Sequence, residues 1–304
     1  MRYSEVVEAT RRILEEYSYH LTVRQVYYRL ISPPYQLFSN TATNYKTFDK
    51  ILTKARERHE VDWRKIEDRA RSILGGEKNV FDSPEGYVEW LFGELNERYY
   101  DKSYWESQSS HVEVWVEKDA LSALFERAVK QFRIVVFPSR GYSSYTKVME
   151  ALERFPQRKN VVILHFGDHD PSGLDMSRDL SSRLDRYSGT NNGSLVVKRI
   201  ALGIEQVKEL ALPPNPTKKA DTRAREYTAE YGDECWELDA VPPNTLAQWV
   251  RAAVEEEIGW DAWRESEERV KEEREKIRRA LEQSSSEIDD LRKKIARALD
   301  IGNS

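Results

Sequence analysis

The feature that most constrains this chain is a change of pattern near residue 111. From there, four runs of β-branched and aromatic residues follow one another: HVEVWVEK at 111–118, RIVVFPS at 133–139, NVVILHFGD at 160–168 and SLVVKRIAL at 194–202. Helical stretches at about 119–131, 144–155 and 174–186 separate them. Strands that alternate with helices are joined by crossovers rather than hairpins, and crossovers place the strands parallel. The pattern therefore predicts an α/β fold with a parallel sheet. CWELDA at 235–240 offers one further strand. In sheets of this kind the reactive groups gather at the carboxyl ends of the strands.

Two of these strands end in carboxylates. The first ends Val114-Trp-Val-Glu117-Lys-Asp119, the second His165-Phe-Gly-Asp168-His-Asp170-Pro-Ser-Gly173. In an extended segment Asp-x-Asp directs both carboxylates to one side, because side chains alternate with period two. Like charges at that separation repel and need a cation. Hard oxygen donors suit Mg²⁺. Glu117, Asp168 and Asp170 are thus the expected metal ligands, with His165 and His169 left as structural neighbours. A surface salt bridge is the plain alternative for any one acid. A second loop, Phe137-Pro-Ser-Arg140-Gly141-Tyr142-Ser143-Ser144, follows another strand and opens a helix. Arg140, a glycine turn and hydroxyls at a helix N-terminus can hold a phosphate; a plain strand-to-helix turn is the alternative reading.

Residues 1–73 read as short helices. One is expected from Ser4 to about Tyr17, a second from Thr22, a third over about 45–58 and a fourth over 63–73, ended by Gly75-Gly76. Thr22-Val-Arg-Gln25 has the spacing of a capping box, and Pro33-Pro34 stops the helix that it starts. This piece holds 14 basic and 10 acidic side chains, whereas 74–110 hold 3 and 8. Short helices with a basic balance fit a helix-turn-helix module or an ordinary small helical bundle. Arg24, Arg29, Lys46, Lys50, Lys54 and Arg56 are its candidate DNA contacts, joined by Lys218 and Lys219 from a later loop. Salt-sensitive binding follows from such contacts.

Composition narrows the class. With 48 Lys and Arg against 53 Asp and Glu, the net charge of −5 argues against a chain that holds nucleic acid by bulk charge. The single Cys235 excludes an intrachain disulfide and a cysteine-built metal site. No apolar run approaches the length of a membrane span, and the N-terminus lacks the apolar core of a signal peptide. A cytoplasmic protein is expected, nucleoid-associated in a prokaryote, with no membrane partner. Boundaries are expected at 1–76 for the helical module, 77–110 for an acidic, aromatic linker, 111–243 for the sheet domain and 244–304 for a charged helical extension. In that extension Ile277, Leu281, Ile288, Leu291 and Ile295 suit a helical hairpin, a short coiled-coil seam or a helix packed on its own domain.

The acidic strand ends resemble a Toprim domain, the metal-binding α/β module of topoisomerases, primases and some nucleases. Its signature is a Glu at the end of one strand and Asp-x-Asp at the end of a later one, here Glu117 and Asp168-x-Asp170. Thr22-Val-Arg24-Gln-Val-Tyr27-Tyr28 resembles the Arg-Asp-x-Tyr-Tyr segment of the topoisomerase VI A subunit and its meiotic break-forming relatives. Gly141-Tyr142 resembles a loop of the same family. The resemblance implies a winged-helix module before the Toprim domain, Tyr28 as nucleophile, Arg24 as its motif arginine and Mg²⁺ as cofactor. It also implies a homodimer on DNA. No Walker-type Gly-rich Lys-Ser/Thr motif occurs in this chain, so an ATP-driven cycle would need a separate ATPase subunit, and a minimal stand-alone or mobile-element-associated relative is the alternative. Gln25 stands where the family has Asp, and the chain is shorter at its N-terminus.

The implied reaction is a transesterification in which Tyr28 attacks a backbone phosphate while Arg24 steadies it and Glu117 moves a proton. Tyr27 is expected in the core with Val23 and Leu30, and Tyr28 on the polar side of the same helix, exposed. Two rivals stay open. One is a metal-dependent nuclease that hydrolyses DNA with activated water, and the other is a non-enzymatic DNA-binding adaptor. Trp236-Glu237-Leu-Asp239-Ala resembles a late acidic element of related chains, for which a buried salt bridge is the expectation.

Overall fold

A computed structural model describes residues 3–67, 80–139, 141, 145–187, 193–217 and 223–301. Three helices come first: α1 (Tyr3–Glu16), α2 (Val23–Ile31) and α3 (Ala42–Glu57). Helix α1 is already under way at Ser4, so Ser4 lies within its first turn and does not cap it. Thr22 caps α2 as the spacing predicts. Its hydroxyl accepts from Gln25 N at 3.1 Å, and Gln25 Oε1 accepts from Thr22 N at 3.0 Å. The chain leaves the helix at Ser32, before the prolines. Thr41 caps α3, which starts earlier than the hydrophobic pattern alone suggested. The expected fourth helix over 63–73 is corrected in its first part: a single 3-10 turn at Trp63–Lys65 gives way to extended backbone at Ile66, which bridges Leu21; residues 68–79, with Gly75 and Gly76, lie outside the described residues. The three helices close on Val6, Ile13, Val26, Tyr27, Leu30, Phe48 and Leu52. Tyr27 belongs to this core, as expected.

Helix α4 (Pro84–Gly93) precedes the sheet. The sheet strands are β1 (Ser110–Val116), β2 (Val135–Pro138), β3 (Asn160–Phe166) and β4 (Leu195–Ala201), all parallel, in the order β2-β1-β3-β4. The crossovers are α5 (Ser122–Val129), α6 (Tyr145–Arg154) and α7 (Pro171–Tyr187). Trp115, Val161 and Ile163 pack with Val148, Ala151, Leu180 and Leu184 of α6 and α7. Phe166 meets Phe125 of α5 edge-on. Both faces are thus covered, which is why the strands read as nearly unbroken apolar runs.

Beyond β4 come α8 (Ile204–Glu209), β5 (Asn215–Pro216), α9 (Ala224–Tyr231), β6 (Glu234–Cys235), α10 (Pro243–Glu255), α11 (Trp260–Gln283) and α12 (Ser285–Ile301). The expected strand at 235–240 is only partly one: β6 pairs with β5, and Leu238–Ala240 form a 3-10 turn. No helix among the described residues is long and apolar enough to cross a membrane.

The chain falls into two compact units. One draws on Met1–Ser72 and Ser109–Ile258, the other on Ile73–Gln108 and Gly259–Ser304. The helical module and the sheet therefore form a single body, and α10 belongs to it. The segment expected as a linker instead folds with the C-terminal helices. In this second unit Trp263 of α11 stacks edge-on with Tyr104 and Trp105, and Lys102 Nζ meets Glu273 at 2.7 Å. The linker reading rested on local acidic and aromatic composition, and these aromatic contacts come from residues more than 150 positions apart.

Candidate functional site

Strand order reverses between β1 and β3, so the crevice beyond their carboxyl ends is the topological switch point of the sheet. Glu117 follows β1, and Asp168 and Asp170 follow β3. The register brings them side by side: Val116 pairs with Phe166, and Glu117 N donates to Phe166 O at 2.8 Å. Glu117 Oε2 then accepts from Asp168 N at 3.0 Å. Gly167 permits this approach, since a Cβ there would lie 2.9 Å from Glu117 Oε2. At Gly173 a Cβ would lie 2.2 Å from Asp168 O, so the turn into α7 also needs glycine. Arg199 of β4 pins that turn by donating to Asp168 O at 2.6 Å and Gly173 O at 2.9 Å.

The three acids line one cleft of about 860 Å³ together with Arg24, Tyr45 and Arg56 of the helical module. Burial raises the Glu117 carboxyl above the usual range, and Asp170 adds to this. Burial likewise lifts Asp168 to about 7, with Glu117 and Asp239 raising it and Lys118 opposing. Several carboxylates thus line the cleft.

The arrangement differs from the one expected. Among the described residues no group of three His, Cys, Asp or Glu side chains is disposed to hold a metal ion. Asp168 Oδ1 accepts from Leu238 N at 2.8 Å, and its Oδ2 meets Lys118 Nζ at 3.0 Å. Asp170 Oδ1 turns to the start of α7, accepting from Gly173 N at 2.6 Å and the Ser172 hydroxyl at 3.0 Å. The strand has ended by Phe166, so the period-two alternation that would aim both aspartates together no longer applies. The donor chemistry suits a hard divalent cation, but the side chains as placed do not gather around one.

The late acidic element supplies the rest of the network. Lys118 Nζ also meets Asp239 Oδ2 at 2.6 Å and Glu237 Oε2 at 3.2 Å, the buried salt bridge expected for this segment. Burial opposes the Lys118 charge, but Asp239, Asp168 and Glu237 outweigh it and hold the ammonium well above the usual lysine value. Glu237 Oε1 takes Arg24 Nη2 at 2.5 Å.

Tyr28 is not exposed. It is 1% accessible, and its oxygen accepts from Asn215 Nδ2 at 2.8 Å. Burial, reinforced by Glu237, pushes its phenol well above the usual tyrosine value despite Asn215, Arg24 and Lys118. The helical wheel placed it correctly opposite the core of the three helices. That opposite side, however, lies against the 238–240 turn, which only tertiary folding brings there. Arg29 is corrected for the same reason: it is half-buried and donates to Ala240 O, so it does not face solvent as a DNA contact would.

Lys46, Lys50 and Lys54 are exposed on α3, and Arg56 is half-buried in the acidic cleft. Arg140, Tyr142, Lys218 and Lys219 lie outside the described residues. His165 Nδ1 bonds Ser177 at 2.8 Å, and burial lowers the ring to about 3. His169 Nδ1 bonds the Tyr227 hydroxyl at 2.9 Å. Both are buried and bonded to neighbouring side chains. Sequence reasoning missed Lys118, Arg199 and Asn215. Only Lys118 carried a signal, its place directly after Glu117 at a strand end.

Compared with known proteins, the chain matches no family model, and no curated protein sequence matches it at a significant level.

Proposed function

We propose that this chain cleaves DNA strands in the manner of the topoisomerase VI A subunit, as a winged-helix module joined to a Toprim domain, without an ATPase of its own. The observation that carries the reading is that Glu117, Asp168 and Asp170 line one cleft beyond the switch point together with Arg24 and Arg56 of the helical module. Hard carboxylates and guanidinium groups in one cleft suit a phosphodiester and its counter-cation. Mg²⁺ is the cofactor proposed. Glu117, Asp168 and Asp170 would hold it once Asp168 is released from Lys118, and it would supply charge neutralisation at the phosphate.

In the proposed reaction the Tyr28 oxygen bonds to phosphorus and the bond from phosphorus to the 3′ oxygen breaks. The phenolic proton passes by way of Glu117 to the departing oxygen, leaving a 5′-phosphotyrosyl link and a 3′-hydroxyl. Arg24 steadies the phosphate by bidentate donation. Tyr28 must leave Asn215 for this, and in a homodimer it would serve the partner's cleft. A separate ATPase subunit belongs to the same proposal.

The burial of Tyr28 favours a second reading, in which the same acids direct hydrolysis by water and the helical module only binds DNA. Supercoiled plasmid incubated with the chain and Mg²⁺, then resolved with and without protease, separates the two. A protein-linked cut end that disappears in Tyr28→Phe supports transesterification. Cleavage that survives Tyr28→Phe with no linked product assigns the reaction to water. Full cleavage by Glu117→Ala or Asp168→Ala refutes both, and no cleavage by any form leaves a DNA-binding adaptor.

A further inference from the structure

The acidic cleft already contains a cation, and it is part of the chain. Three carboxylates from two distant stretches converge on Lys118 Nζ: Asp239 at 2.6 Å, Asp168 at 3.0 Å and Glu237 at 3.2 Å. Asp239 is 2% accessible, so this charge has little access to water. Asp168 gives its second oxygen to Leu238 N. Both of its oxygens are therefore engaged by the chain's own donors.

An ammonium and a divalent ion compete for the same carboxylate oxygen, because each needs direct contact to offset its lost hydration. Lysine suits such a competition. Its head is a compact point charge on a flexible four-carbon stem. If it leaves Asp168 it keeps Asp239 and Glu237, so its departure strands no buried charge. The exchange also reaches the helical module, because Glu237 holds Arg24 of α2 with its other oxygen. Glu117 and Asp170 face the same cleft, and neither is one of the three carboxylates that hold Lys118.

We infer that Lys118 is a built-in competitor for divalent cations at Asp168: it closes the acid cluster in the conformation seen, and a divalent ion binds only by displacing it onto Asp239 and Glu237. The inference rests on the reading of Glu117, Asp168 and Asp170 as cation ligands. It goes beyond that reading by naming the residue that sets their affinity.

The test reads cation binding by the full chain, without DNA, by titration with MnCl₂ followed by electron paramagnetic resonance of free Mn²⁺. Lys118→Met should bind Mn²⁺ roughly tenfold more tightly or better, the scale of one charge-assisted hydrogen bond removed from competition. Lys118→Arg, which keeps the charge, should stay close to the wild-type affinity, and Asp168→Asn should lose the gain when combined with Lys118→Met. Equal or weaker Mn²⁺ binding by Lys118→Met overturns the inference. Should that variant not fold alone, recovery of a cooperative thermal transition on adding Mn²⁺ supports the inference, and no recovery refutes it. Plasmid cleavage is a separate readout: a chain that never cleaves DNA but shows the Lys118→Met gain refutes only the proposed function.

Discussion

Asn215 Nδ2 donates to the Tyr28 phenolic oxygen at 2.8 Å, joining β5 to α2 across 187 positions of sequence. The same Asn215 takes Asn40 Nδ2 on its own oxygen at 3.1 Å. One amide thus ties two points of the helical module to the segment that follows the sheet. The tyrosine that motif and helical wheel offered as an exposed nucleophile is, in this conformation, a buried part of that junction.

Removing the Tyr28 hydroxyl should therefore cost stability. Tyr28→Phe leaves the Asn215 amide without its acceptor and should lower the unfolding free energy by about 1 kcal/mol. Tyr28→Ala removes one of the largest fully buried side chains and should cost about 3–5 kcal/mol. Urea unfolding measures both, and a Tyr28→Ala chain as stable as wild type would contradict the burial.

Asp168 should impose a pH dependence. Its carboxyl is raised from 3.8 to about 7, chiefly by burial. Between those values the folded chain keeps a proton that the unfolded chain has lost. The folded state binds more protons, so this group's contribution to stability falls as pH rises through that window. Asp168→Asn should flatten the slope. Unfolding free energies measured across the window would show parallel profiles if Asp168 were not responsible.

Glu113 should behave in the opposite sense. It is fully buried in β1, and burial alone would raise its carboxyl. Arg154, which grips it at 2.7 and 2.8 Å, outweighs burial together with His111 and Trp115 and holds it below the usual range. Its contribution is present at neutral pH and lost as pH falls through the folded value. Arg154→Met should cost about 3–5 kcal/mol, because it leaves a buried carboxylate without its guanidinium partner. That variant should also gain stability on acidification where wild type loses it, a reversal that chemical denaturation at two pH values detects.

The exposed lysines of α3 should govern salt dependence. Replacing Lys46, Lys50 and Lys54 with Gln should leave folding unchanged. It should also reduce the slope of log affinity against log salt by about 0.9 for each duplex phosphate that the variant no longer neutralises. Fluorescence anisotropy of a labelled duplex over a salt series measures the slope. An unchanged slope would remove α3 from the DNA-binding surface.

Much of this protein was legible from local pattern. The apolar runs announced four parallel strands, because strands buried on both faces admit few polar residues. Thr22 and Gln25 announced the start of α2, because a capping box is made within four residues. Glu117, Asp168 and Asp170 announced an acid cluster, because strand ends of a parallel sheet converge. The strands and the cap rest on backbone period or on contacts close in sequence, and the acid cluster on the parallel pairing that the strand pattern implies.

What lay beyond reach involved partners far along the chain. The wheel of α2 separates an apolar from a polar side, but it contains no information that Asn215 and Ala240 will cover the polar side. The acidic, aromatic composition of 77–110 suggested a linker, while Tyr104 and Trp105 pack on Trp263 of α11. The pattern of carboxylates asked for a cation, and the chain's own Lys118 answers that demand only when Glu237 and Asp239 fold back onto the end of β3. By itself the sequence determined the elements and the charge that one cleft would carry. The tertiary structure decided which groups are buried and which cation sits among the acids, because burial and ion pairing depend on neighbours that only the fold brings together.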